Sequence, residues 1–221
     1  MPSEPIFGVR ALLADDHVVV RDGLKAILKQ EFVDVVGEAS DGRTAVRLCR
    51  ELKPQVAILD IAMPLLNGVD AAREIVRACP QTKVILLTMY GEDSYVMAGL
   101  RAGVAGYVLK SSAASTLVQA IAAVCRNDTY LSPAVARVVV EAYLSGVPAS
   151  PDPLTGQERE MLQLMAEGKS AKDIGKLFKI SAKAAESQCA SIMTKLNIHN
   201  TAGLVRYAIR HGLISLDAIA E

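Results

Sequence analysis

Short apolar runs alternate with segments of helical period from residue 8 to about residue 126. The run at 9–14 is followed by a helical pattern at 18–29, in which Val20, Leu24, Ile27 and Leu28 share one face. The alternation repeats at 33–38 and 43–52, at 56–60 and 69–78, at 84–88 and 95–102, and at 105–109 and 117–124. Five strands, each followed by a helix, predict a doubly wound α/β fold with a parallel sheet covered on both faces. Residues 127–153 carry turn formers (Asn127, Asp128, Pro133, Gly146, Pro148, Pro151 and Pro153) around one apolar helical stretch at 135–144, which reads as a linker containing a helix. Beyond it the pattern is helical only. Thr155 and Glu158 form a capping box that opens a helix ending before Gly168. Ser170 caps a second helix with Ile174, Leu177 and Phe178 on one face, Ser181 caps a third running to about Asn197, and a fourth spans about 201–210 before Gly212. The predicted organisation is an α/β domain at 1–128, a linker with one helix at 129–152, and an all-α four-helix domain at 153–221.

Composition narrows the picture. Hydrophobic residues make up 51% of the 221 positions and the mean hydropathy is +0.28, which excludes a disordered chain. Aromatic residues are only 4% and there is no Trp, so the cores are built from Val, Leu, Ile and Ala, and a stacking platform for single-stranded nucleic acid is disfavoured. Lys plus Arg equals Asp plus Glu at 24 each, which removes any global field toward DNA or an anionic membrane and makes such binding local. Cys49, Cys79, Cys125 and Cys189 lie far apart, with no Cys-x-x-Cys pair and no His at ligand spacing, which points away from zinc or a disulfide framework. The first residues lack a basic start and an apolar stretch, and the longest uncharged run, at 111–125, is 15 residues, below the roughly 18 apolar residues of a spanning helix. The expectation is a cytoplasmic protein with no membrane partner.

In an open doubly wound sheet, ligands bind beyond the carboxyl ends of the strands. The residues at or just past those ends are Asp15 and Asp16, Asp60, Thr88 and Lys110. Crowding three carboxylates costs several kcal/mol at low effective dielectric unless a cation is present. Mg²⁺ suits such a set because it favours oxygen ligands and is typically held by one or two carboxylates plus a phosphate. Lys110 supplies a second positive charge, Thr88 a hydroxyl donor, and an aspartate nucleophile can form an acyl phosphate. Taken singly, the same residues also read as a helix cap, a strand end and a solvated surface lysine.

The segments Leu13-Ala14-Asp15-Asp16-His17, Leu59-Asp60-Ile61-Ala62-Met63-Pro64 with Gly68, Leu87-Thr88, and Gly106-Tyr107-Val108-Leu109-Lys110 resemble the receiver domain of bacterial two-component response regulators. The resemblance implies a flavodoxin-like sheet of order 2-1-3-4-5, with Asp60 as phosphoacceptor. It implies Mg²⁺ held by Asp15, Asp16, Asp60 and the backbone of Ala62, Lys110 contacting the acyl phosphate, and Thr88 with Tyr107 as the switch pair. The implied donor is a sensor histidine kinase or a small acyl phosphate. The implied chemistry is self-phosphorylation and autodephosphorylation, so the chain is not expected to be an enzyme acting on a separate substrate. A Mg²⁺-dependent phosphatase would use similar ingredients, but the resemblance there is to a first strand ending Asp-x-Asp-x-Thr, whereas this one ends Asp15-Asp16-His17.

Leu154-Thr155-Gly156-Gln157-Glu158-Arg159-Glu160, Gly168-Lys169-Ser170, Ile174, Leu177, Ile180-Ser181 and Lys195-Leu196 resemble the helix-turn-helix domain of the LuxR and NarL transcription factors. The implied function is transcription regulation by binding double-stranded DNA, as a homodimer when phosphorylated, with the helix from Ser181 in the major groove. The sequence departs from that family at Ala184-Ala185 for Thr-Val, Gln188 for His, Cys189 for a basic residue, Ala171 for Asn and Gly175 for Ala. The first four departures are expected to remove a hydroxyl, an apolar contact for a thymine methyl and two phosphate donors. Lys179, Lys183, Gln188 and Lys195 remain as candidate DNA contacts. From residue 148 onward nine Lys plus Arg face eight Asp plus Glu, a net of +1, which is a thin footprint for a DNA reader. The alternative is a phosphorylation-controlled protein-interaction module whose altered helix-turn-helix binds DNA weakly or not at all. His17, His199 and His211 lack ligand or triad spacing and are assigned no chemistry.

Overall fold

The structure, a computed structural model, describes residues 8–88, 93–111, 114–144 and 153–214. The chain divides into two compact units, Met1–Val147 and Pro148–Glu221. The proline-rich end of the expected linker and the boundary expected at 152/153 fall outside the described residues.

In the first unit the continuous apolar runs become strands because both of their faces are covered. The elements are β1 (Arg10–Ala14), α1 (Val18–Gln30), β2 (Asp34–Ala39), α2 (Gly42–Leu52), β3 (Val56–Asp60), α3 (Gly68–Ala78), β4 (Lys83–Thr88), α4 (Asp93–Ala102), β5 (Gly106–Leu109) and α5 (Ala114–Cys125). They are followed by β6 (Tyr130–Leu131) and α6 (Pro133–Leu144). The sheet order is β2-β1-β3-β4-β5-β6, and every pairing is parallel. The first five strands have the predicted order, while the sixth is an addition at the β5 edge, pairing Gly106 with Tyr130 and Tyr107 with Leu131. One core layer packs α2, α3 and α4 on the sheet and the other packs α1 and α5.

The helix expected as a linker is part of this unit. Val135 and Val138 of α6 are buried in the same cluster as Val96, Val104 and Tyr107, and α6 packs against α4. The segment is tied to the sheet by Tyr130 N–H donating to Ala105 O at 3.0 Å and Ser132 N–H donating to Tyr107 O at 3.0 Å. An exposed edge strand would carry unpaired backbone groups, and β6 satisfies part of that row on β5.

The second unit contains α7 (Gly156–Ala166), α8 (Ala171–Phe178), α9 (Ala182–Lys195) and α10 (Thr201–Arg210). Thr155, Ser170, Ser181 and Asn200 each cap a helix through the side-chain oxygen, and the Thr155–Glu158 capping box is complete. The α8–α9 corner is tight, since a Cβ added to Gly175 would stand 2.9 Å from Ile180 O. Glycine at this position therefore lets the two helices approach more closely than alanine permits.

Candidate functional site

The predicted acidic site forms at the carboxyl end of the sheet. Asp15 directly follows β1 and is held in line by its N–H donating to Ala39 O at 3.1 Å. Asp60 is the last residue of β3, beside Leu87 of β4. Lys110 leaves β5 with its N–H donating to Thr88 O at 2.7 Å. Gly68 opens α3 so close beneath this edge that a Cβ would stand 1.9 Å from Asp60 O, so only glycine fits there.

The electrostatics follow from burial. Asp15 is 1% exposed and Asp60 4%. Lys110 Nζ lies 2.6 Å from Asp15 Oδ2 and 2.9 Å from Asp60 Oδ1. Burial nevertheless pushes the Asp60 carboxyl up to about 6, with Lys110 pulling it down and Asp15 and Asp16 pushing it further up. Burial works against the Lys110 ammonium, but Asp60 and Asp15 outweigh it and hold its pKa above the ordinary lysine value. Asp15 Oδ2 and Asp16 Oδ1 are both buried atoms, the first faced by Lys110. Three carboxylates against one ammonium leave net negative charge for a further cation, and the carboxylate oxygens fit Mg²⁺.

Thr88 is buried at the end of β4. Tyr107 on β5 is fully buried and its hydroxyl has no hydrogen-bond partner among the described residues. Burial pushes its phenol well above the usual tyrosine range, with smaller contributions from Tyr95 and Asp60. Ala62 is half-buried in the loop between β3 and α3.

One participant was not legible in the sequence. His17, expected to carry no chemistry, places Nδ1 2.7 Å from Asp16 Oδ1 and 3.4 Å from Asp15 Oδ1. The available signal was its place immediately after the acid pair, where the chain turns into α1.

In the second unit, Lys179 ends α8 in the left-handed conformation (φ 57°) and is exposed, as are Lys183 and Gln188 on α9. Lys195 is not a free cation. Its Nζ lies 3.0 and 2.9 Å from the two Glu158 carboxylate oxygens, joining the end of α9 to the capping box of α7. The backbone and hydroxyl of Thr155, together with Lys195, hold Glu158 down to about 2. Ala185 is 0% exposed and belongs to the core, which corrects the expectation that the departure at this position removes an apolar contact for a thymine methyl. Ala184 is half-buried and its N–H donates to Ser181 Oγ at 3.1 Å. Cys189 is half-buried, and burial raises its thiol pKa. Glu186, passed over in the sequence, puts an exposed carboxylate on α9 between Lys183 and Gln188. At 14 residues α9 is about 21 Å long and ends at Lys195, two residues before the expected end near Asn197.

Comparison with known proteins covers both units. Residues 11–122 match the response regulator receiver domain, and residues 152–208 match the bacterial regulatory proteins of the luxR family. The transcriptional regulatory protein MctR of Rhizobium johnstonii is 37% identical over 208 residues, covering 94% of this chain and 96% of that one. The transcriptional regulatory protein LiaR of Bacillus subtilis is 38% identical over 210 residues, covering 94% of this chain and all of its relative (100%). Among solved structures, RcsB of Salmonella enterica serovar Typhimurium, bound to promoter rprA in the presence of the phosphomimetic BeF3-, is similar at 31% identity with a TM-score of 0.60. That match covers 90% of this chain and 97% of that one.

Proposed function

Because the chain belongs to the two-component response regulators that join a receiver to a LuxR-type DNA-binding domain, we propose that Asp60 accepts the phosphoryl group that controls its transcriptional output. The observation that carries this assignment is the Lys110 ammonium 2.9 Å from Asp60 Oδ1 at a buried, otherwise negative strand edge. A sensor histidine kinase in the cytoplasm is the donor. An Asp60 carboxylate oxygen attacks phosphorus, the new P–O bond forms as the P–N bond to the donor imidazole breaks, and the electron pair leaves with the imidazole.

Lys110 stays protonated through this step and neutralises charge on the transferring group, while the Thr88 hydroxyl donates to a phosphoryl oxygen. Asp15, Asp16, Asp60 and the Ala62 backbone would hold Mg²⁺, which supplies positive charge against the phosphoryl oxygens when bound. Thr88 and Tyr107 reorient in response to the new group. The Ser132–Tyr107 backbone bond and the packing of Val135 and Val138 offer a route from that movement to α6. Phosphorylation then favours a homodimer on paired half-sites about one helical turn apart.

The test is transfer from a phosphorylated kinase, or from acetyl phosphate, followed by intact mass and DNA binding across salt. One phosphoryl group per chain, lost in Asp60→Asn, with DNA binding strengthened by the modification, is the expected result. Phosphorylation that survives Asp60→Asn overturns the assignment. A protein-interaction role for the second unit is the competing output. The net charge of +1 from residue 148 onward and the Glu158–Lys195 pair favour it, and absence of DNA binding in both states would establish it.

A further inference from the structure

We infer that His17 tunes the metal preference of the acidic site, adding a nitrogen donor that favours first-row transition cations such as Co²⁺, and to a lesser degree Mn²⁺, over Mg²⁺. This rests on the reading of Asp15 and Asp16 as cation ligands. Two donors at right angles about a small divalent cation, each about 2.1 Å from it, lie about 3 Å apart. His17 Nδ1 stands 2.7 Å from Asp16 Oδ1 and 3.4 Å from Asp15 Oδ1, on either side of that spacing. One ligand atom from each of the three residues lies within 4.8 Å of the others.

The local backbone holds this arrangement. His17 N–H donates to Asp15 Oδ1 at 2.9 Å, which fixes the acid against the start of α1. The imidazole itself caps nothing: His17 is the N-cap residue of α1 but makes no side-chain cap bond, and its side chain is 60% exposed. Its ring is therefore not committed to packing or to the helix end. On the acid side, Asp16 Oδ1 is a buried atom and the imidazole is the group that faces it. Mg²⁺ gains little from an imidazole because it prefers oxygen, whereas affinity of a mixed nitrogen and oxygen site rises from Mn²⁺ to Co²⁺.

The experiment compares the full chain with His17→Gln and His17→Ala. Co²⁺ binding is followed by its visible absorbance, Mn²⁺ binding by loss of the free-ion paramagnetic resonance signal, and Mg²⁺ by competition against Mn²⁺. Both variants are expected to lose about tenfold or more in Co²⁺ affinity, less for Mn²⁺, and under about twofold for Mg²⁺. A selectivity series identical in all three proteins overturns the inference. So does an equal loss for all three ions, which would mean that His17 only shapes the loop. Mg²⁺-supported phosphorylation of Asp60 in every protein, with unchanged selectivity, defeats the His17 role alone. Failure of any divalent ion to bind defeats the acidic-site reading as well.

Discussion

The receiver and the helix-turn-helix unit handle charge in opposite ways. At the sheet edge, Asp15 and Asp60 share the one ammonium of Lys110 beside Asp16, and two of these three acids are almost wholly buried, so the edge keeps net negative charge. In the second unit, charges are spread over the surface and neutralise one another, as Lys195 does with Glu158. A site that takes, as proposed, a doubly charged cation and a phosphoryl group gains from desolvated, unbalanced charge, because each interaction is worth more away from water. A surface that binds a polyanion gains from accessible excess, and pairing depletes it. The chain's zero net charge conceals both arrangements.

The largest expected break in this contrast is Lys110→Ala. It leaves Asp15 and Asp60 buried without their ammonium, which costs about 3 kcal/mol or more in a urea melt of the first unit. It also lowers the rate of acyl phosphate formation by at least about tenfold, measured by intact mass against time.

The pH dependence of Asp60 tests the unbalanced charge directly. Its folded pKa of about 6 lies above the ordinary carboxyl value, so the ionised form costs stability at pH above 6. That cost is relieved as pH falls from about 6 toward the ordinary value of 3.8. Divalent binding and phosphorylation, which need the carboxylate, weaken over the same fall. Asp60→Asn removes both effects and raises the melting temperature at pH 8. A variant that melts lower than the parent at pH 8 would contradict the assigned cost.

Glu158 has the opposite sign. Its folded pKa of about 2 lies below the ordinary value of 4.5, so its contribution is complete above pH 4.5 and is lost as pH falls toward 2. Glu158→Gln should cost the second unit about 1 kcal/mol in thermal or denaturant unfolding. It also frees Lys195, so the slope of DNA affinity against salt is expected to steepen by about one phosphate contact. An unchanged slope would mean that Lys195 does not face the nucleic acid.

The smallest expected effect is at Gly175. Alanine there is a better helix former by about 1 kcal/mol, but its Cβ must displace a carbonyl 2.9 Å away. The clash is with backbone, so Gly175→Ala is expected to lower stability in urea unfolding by about 1 kcal/mol despite the better propensity, and a stabilised variant would contradict the tight corner.

Much of the fold was legible because the relevant signals are local and repeat. Alternating buried strands and helical periods predicted the first five strands, the resemblance to receiver domains implied their order, and the caps at Thr155, Ser170 and Ser181 appear where serine and threonine oxygens meet exposed helix N–H groups. The strand ends also led to Asp15, Asp60, Thr88 and Lys110. The remainder depended on contacts between residues distant in the chain. A two-residue strand such as Tyr130–Leu131 has no period to detect, and exists because the β5 edge accepts it. Val135 and Val138 read equally well as the apolar face of a linker helix until α4 is placed beside them. Likewise Ala185 resembles a surface departure in sequence, and only packing of α9 puts it inside.

By itself, then, the sequence determined the class of the protein and the residues of its acidic edge, because residue type and spacing suffice to set strands, helices and their ends. Tertiary structure alone decided that Asp15 and Asp60 share Lys110, that Lys195 is occupied and that α6 joins the receiver. Those outcomes depend on burial and on distances between separate elements, quantities that no local pattern encodes.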